Sequence, residues 1–144
     1  MNLQRMAAAA VLAWIVALAY SFVVYGNLMA SEFARYPGVF RSAHQTAANV
    51  PLLLVGSLIA TIVAVHMYGK GYEGGSGLVE GARFGMLLGV YVVGAAWVGE
   101  YVSLNIGGRL ALYGAIAAFI ESVIVGAIIG VIYKPAVARR IVHV

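Results

Sequence analysis

The chain alternates four long apolar stretches with short polar ones. Residues 6–31 carry no charge, and a membrane span needs roughly 20 mostly apolar residues, so a first helix is expected over about 6–30. Arg5 ahead of the run and Ala17-Leu18-Ala19 within it look like parts of a signal peptide. The apolar run continues through Tyr20 and Tyr25 to Ala30, however, too far for a signal-peptide core. The segment 32–49 holds Glu32, Arg35, Pro37-Gly38, Arg41 and His44 and reads as a polar connector with turn chemistry, with room for a short interfacial helix. A second span is expected over about 50–68, with Asn49 as its N-cap and Pro51 in its first turn, where a missing N–H is harmless. The glycine-rich segment 69–77 is a loop. A third span is expected over about 80–104, then a tight turn at Asn105-Ile106-Gly107-Gly108, then a fourth span over about 109–133 that Lys134-Pro135 stops. The pattern predicts one all-α domain over residues 1–144, a four-transmembrane-helix bundle.

Small residues recur at every fourth position: Ala9, Ala13, Ala17 and Ser21; Gly56, Ala60 and Ala64; Gly81, Gly85 and Gly89; Ala118, Ser122, Gly126 and Gly130. This spacing puts each set on one helix face. In lipid such faces let backbones approach closely and pack by dispersion. They are expected to pack the bundle internally and to leave scope for a homo-oligomer or a membrane-complex partner.

Composition supports the membrane reading. Hydrophobic residues make up 63% of the chain and charged residues 10%, against about 45–50% and 25% in soluble domains. A disordered chain and a nucleic-acid partner are both excluded on this ground. There is no cysteine, so disulfides and thiolate metal sites are out. A metal or haem would have to use His44, His66, His143, methionines or carboxylates, and no cofactor is expected. Arg5, Lys70, Arg83, Lys134, Arg139 and Arg140 fall on one side of the membrane, and Arg35, Arg41 and Arg109 on the other. The positive-inside rule then puts both termini and the glycine-rich loop in the cytoplasm. Tyr25, Tyr36, Tyr68, Tyr72, Tyr101 and Tyr133 cluster near span ends, as headgroup-level anchors do. The glycine-rich loop follows no strand and lacks the Gly-Lys-Ser/Thr ending of a phosphate cradle; it reads as a connector.

Ionisable groups inside a membrane are costly, and each is a candidate for function. Glu121 lies about 12 residues into the fourth span, near the midplane. It is expected to face the bundle interior, either as a proton or cation site or as a neutral carboxyl bonded to a Ser, Thr or Tyr. His66 lies roughly 6 Å from Glu121 in depth, so a contact is possible; an interfacial His bonded to water is the alternative. Glu100 and Arg109 flank the last turn and are expected to pair at the outer membrane edge, as a bridge that pins the hairpin or as an entrance for a charged solute. No nucleophile–base pair, HExxH or paired carboxylates occur within a span, so no enzyme activity is expected.

The second half, residues 78–135, has a Gly-x-x-x-Gly helix, Asn105 before a short turn, and Gly126-Ala127-Ile128-Ile129-Gly130 ahead of Tyr133-Lys134-Pro135. With Tyr25-Gly26-Asn27 in the first span, it resembles small bacterial four-helix membrane proteins grouped only as domains of unknown function. The resemblance implies a bacterial inner-membrane location and supplies no activity or site residues. The sequence is read as a non-enzymatic self-associating bundle or small subunit of a larger membrane complex; the alternatives are a small transporter or channel using Glu121 as a proton or cation site, and a His-ligated cofactor-binding protein.

Overall fold

A computed structural model describes residues 3–133. The expected stop at Lys134-Pro135 and the basic tail with Arg139, Arg140 and His143 lie outside these residues. The described chain is helical throughout its spans: α1 (Leu3–Val23), α2 (Ala30–Phe33), α3 (Ala43–Gly71), α4 (Gly77–Val92), α5 (Val98–Ser103) and α6 (Gly108–Ile132). A π-helical turn, Val24–Leu28, extends α1, and another, Val93–Trp97, joins α4 to α5. Four continuous helical stretches, Leu3–Leu28, Ala43–Gly71, Gly77–Ser103 and Gly108–Ile132, are long and apolar enough to cross a membrane.

The four spans expected from the hydrophobic pattern are all present, and the second is longer than expected. Its N-cap is Ser42, not Asn49. The Ser42 hydroxyl accepts from Gln45 N (3.3 Å), and Ser42 N donates to Gln45 Oε1 (3.1 Å), a reciprocal capping box. Asn49 is a helical residue whose amide donates to the Gln45 carbonyl (2.7 Å), and Pro51 sits inside the helix. The polarity of residues 43–49 marks a helix that outruns the hydrocarbon, because α3 has 29 residues where roughly 20 suffice.

The helices are laid side by side in the order α3, α1, α6, α4. The tightest pair is α4 with α6. A Cβ on Gly81 would strike the Gly126 carbonyl, one on Gly85 the Ser122 carbonyl, and one on Gly130 the Gly77 carbonyl. The two glycine stripes therefore bring backbone onto backbone, and Gly81, Gly85, Gly126 and Gly130 are all buried. The stripe on α3 behaves differently: Ala64 is buried, Ala60 and Gly56 are exposed, and a Cβ on Gly56 would meet nothing within 4 Å.

Two apolar cores fill the bundle. One, at the end carrying the glycine-rich loop, joins Ala9, Ala10 and Ala13 of α1 to Ala64, Val65 and Tyr68 of α3 and to Ile129 and Tyr133. The other, at the connector end, joins Met29, Ile106, Leu110 and Ala117, with Tyr25, Phe33 and Tyr36 packed around them. A layer of side-chain hydrogen bonds separates the two.

Candidate functional site at Glu121

That layer is built by α1 and α6. Ser21 Oγ donates to Glu121 Oε1 (2.9 Å), and Tyr20 OH donates to the Ala117 carbonyl (2.9 Å) one turn away. Glu121 lies one residue past the midpoint of α6 (Gly108–Ile132), as the sequence predicts, and it faces α1. It is neither fully exposed nor sealed. Its neighbours Ala118 and Ser122 are buried, which aims the carboxylate into the seam between the two helices. Trp14 Nε1 donates to Ser57 Oγ (2.9 Å), a separate bond between α1 and α3 roughly 10 Å along α1 from Ser21.

The two π-turns meet beside this carboxylate. Tyr25, from the first, stacks on Trp97, from the second, with ring centroids 6.5 Å apart and planes 15° from parallel. Tyr20 meets Tyr25 edge-on at 6.4 Å. Gly114 makes room: a Cβ there would fall on the Trp97 ring. The π-turn in the first span carries an inserted residue, with Met29 N bonding back to Val24 O (2.8 Å). Asn27 Nδ2 donates to the Phe22 carbonyl (2.7 Å) where the ladder widens. The widened turn carries Tyr25 to a place where its hydroxyl lies within electrostatic reach of both Glu121 and Glu100. Glu100, on α5 one turn after Trp97, is part-buried. Glu100, Tyr25 and Glu121 thus run inward from the connector end, and the apolar core at the loop end lies beyond them.

The other expected site residues are placed differently. Arg109 does not pair with Glu100. Its Nη2 lies 3.1 Å from Glu32 Oε1, and its guanidinium carbon sits 5.3 Å from the centre of the Tyr113 ring. Arg35 Nε lies 3.6 Å from the second Glu32 oxygen. Glu32, expected in a solvated connector, is 7% exposed, because α2 folds it beneath the start of α6. Tyr36 OH accepts from Gly107 N (2.9 Å) in the same corner. The signal for Glu32 was its place three residues before Arg35 at the end of a span; its pairing with Arg109, 77 positions on, needed the folded chain.

His66 is exposed between buried Val65 and Tyr68 and makes no hydrogen bond or ion pair with Glu121 among the described residues. The main neighbour of α3 is α1, not α6, so the similar depths do not become a contact. Among the described residues no three His, Asp or Glu side chains cluster closely enough to hold a metal ion. Comparisons with protein families, curated proteins and solved structures give no match, so the site is read from its own geometry.

Proposed function

We propose that this membrane protein is a small transporter in which Glu121 is the proton or cation site. The hydrogen bond from Ser21 to Glu121 in the polar layer between two apolar cores carries the reading. A carboxylate near the midplane, held by a hydroxyl and lined by tyrosines, is a typical ion or proton site in membrane proteins. Glu100 and Tyr25 lie towards the connector end of the site, and the apolar core with Ala9, Ala13, Ile129 and Tyr133 lies on its other side. Arg109 belongs to the frame at the mouth, since Glu32 holds it. The role needs no catalysis and no cofactor. The location we assign is a bacterial inner membrane with both termini cytoplasmic, in line with the lysine and arginine distribution and the family resemblance.

Proteoliposomes carrying a pH-sensitive dye and driven by a potassium diffusion potential test this reading. Proton flux above protein-free vesicles is expected, and Glu121→Gln should abolish it. Absence of flux for protons and for small monovalent cations alike, or full flux in Glu121→Gln, would overturn it.

A second reading, a self-associating bundle or subunit of a larger complex, is favoured by α3. Leu52, Leu53, Val55 and Ile59 are exposed, and open space lies above Gly56. Small residues of this kind let a second helix approach closely. Gly56→Leu should then lower the oligomeric state in detergent and leave the monomer folded. A wild-type protein that is monomeric in both detergent and lipid nanodiscs would remove this reading.

A further inference from the structure

At the opposite end from Glu100, α3, the glycine-rich loop and α4 enclose a cavity of about 280 Å³. Its lining is graded. Glu73 and Glu80 stand at the loop, Arg83 follows, and Phe84 and Leu87 lie deeper along α4. Leu87 is one helical turn below Arg83, roughly 6 Å, and is 73% exposed, so the cavity opens sideways onto the apolar belt. The inner wall is Tyr68, which packs on Phe84 (ring centroids 5.7 Å) and Tyr72 (5.8 Å).

Three side chains here lack partners among the described residues. Tyr68 is only 3% exposed, and its hydroxyl is buried with no hydrogen-bond partner among the described residues. A buried hydroxyl left unsatisfied is costly, and such groups usually find a partner. Arg83 is exposed, lines the same cavity, and has no ion pair or hydrogen bond among the described residues. Glu80 is already engaged: its oxygens accept from Glu73 N (3.0 Å) and from Gly75 N. The Glu73 side chain is exposed and makes no hydrogen bond.

We infer that this cavity binds the headgroup of a phospholipid bearing a primary amine, a phosphoethanolamine lipid. The phosphate lies against the Arg83 guanidinium, which suits planar phosphate recognition, and the Tyr68 ring, whose hydroxyl is buried without a partner among the described residues, turns toward the cavity to give a phosphate oxygen its hydrogen. The ammonium, a compact donor of three hydrogen bonds, meets Glu73 and the outer face of Glu80. The acyl chains leave past Phe84 and Leu87. Two carboxylates beside one guanidinium disfavour a purely anionic headgroup, and a trimethylammonium group has no N–H to offer Glu73. The inference is independent of the role assigned to Glu121.

Native mass spectrometry of the full chain in mild detergent tests it. The added lipids are phosphatidylethanolamine, phosphatidylcholine and phosphatidylglycerol with identical acyl chains, and glycerophosphoethanolamine serves as a soluble competitor. The ethanolamine lipid should be retained several-fold over the other two. Arg83→Gln should remove the retention, Tyr68→Phe should weaken it, and Glu73→Gln should bring the ethanolamine lipid down to the choline level. Arg83 and Glu73 are exposed and without side-chain partners, so these variants fold, and unchanged thermal unfolding verifies it. Equal retention of the three lipids, or retention that survives Arg83→Gln, overturns the inference. Displacement by the soluble competitor as readily as by lipid assigns the cavity to a free metabolite and overturns the lipid source.

Discussion

Glu121 and Ser21 lie 100 positions apart in the chain and 2.9 Å apart in the bundle. Hydrogen bonds between transmembrane side chains average about 0.6 kcal/mol and seldom exceed about 1.7. Ser21→Ala is therefore expected to lower unfolding stability in mixed micelles by about 0.5–1.5 kcal/mol and leave the fold intact. Glu121→Gln keeps the shape and the acceptor oxygen, so its stability should stay within about 1 kcal/mol of wild type while ion flux is lost. A Gln variant that neither folds nor inserts would show a structural carboxyl, as a satisfied Glu would be. Glu32 is the other carboxylate that the fold encloses. It is ion-paired with a guanidinium on α6 and with one on its own segment. Glu32→Gln should cost about 1–3 kcal/mol, the range for leaving a buried polar group poorly satisfied, and thermal unfolding in detergent reads it. Arg109→Gln should cost less, since its side chain is 59% exposed and water compensates the lost contact.

At the scale of elements, the α4–α6 contact governs the bundle. Gly81, Gly85, Gly126 and Gly130 each face the partner helix where a methyl group would strike backbone. Backbone cannot turn aside as a side chain can, so Gly126→Ala must force the helices apart. Overpacking typically costs about 1–3 kcal/mol, and the loss of adjacent dispersion contacts adds to it. Gly99→Ala is the matched control. It sits in α5 with nothing within 4 Å of the added methyl, and alanine is the better helix former by about 1 kcal/mol. Thermal unfolding should fall for the first variant and hold or rise for the second. The repeated Gly-x-x-x-Gly spacing made this interface legible from sequence. The same spacing rule on α3 did not show which face would be left open, because the order of helices in the bundle decides that. The π-turns were not legible either. Gly26 and Gly94 sit within them, but nothing in the hydrophobic period announces an inserted residue.

For the whole molecule, orientation hangs on few charges. Among described residues, Arg5, Lys70 and Arg83 lie at the loop end and Arg35, Arg41 and Arg109 at the connector end. The proposed orientation counts Lys134, Arg139 and Arg140 on the loop side, which makes the division uneven, and C-terminal charges can set a topology. Replacing all three with Gln should yield a mixed population. The absence of cysteine makes the measurement clean: a single Glu73→Cys should be labelled by an impermeant maleimide only from the cytoplasmic side in the parent, and from both sides in the triple-Gln background.

The sequence by itself determined the membrane address, the four spans, their small-residue faces and the depth of Glu121. All of these follow from local period, length and the cost of burying charge in hydrocarbon. Tertiary structure decided which groups meet. Arg109 went to Glu32 and not to Glu100, because α2 tucks Glu32 under α6. His66 stayed apart from Glu121, because α3 packs on α1. Depth along a helix is a property of the sequence, whereas rotation about the helix axis and choice of neighbour arise only when all four helices pack together.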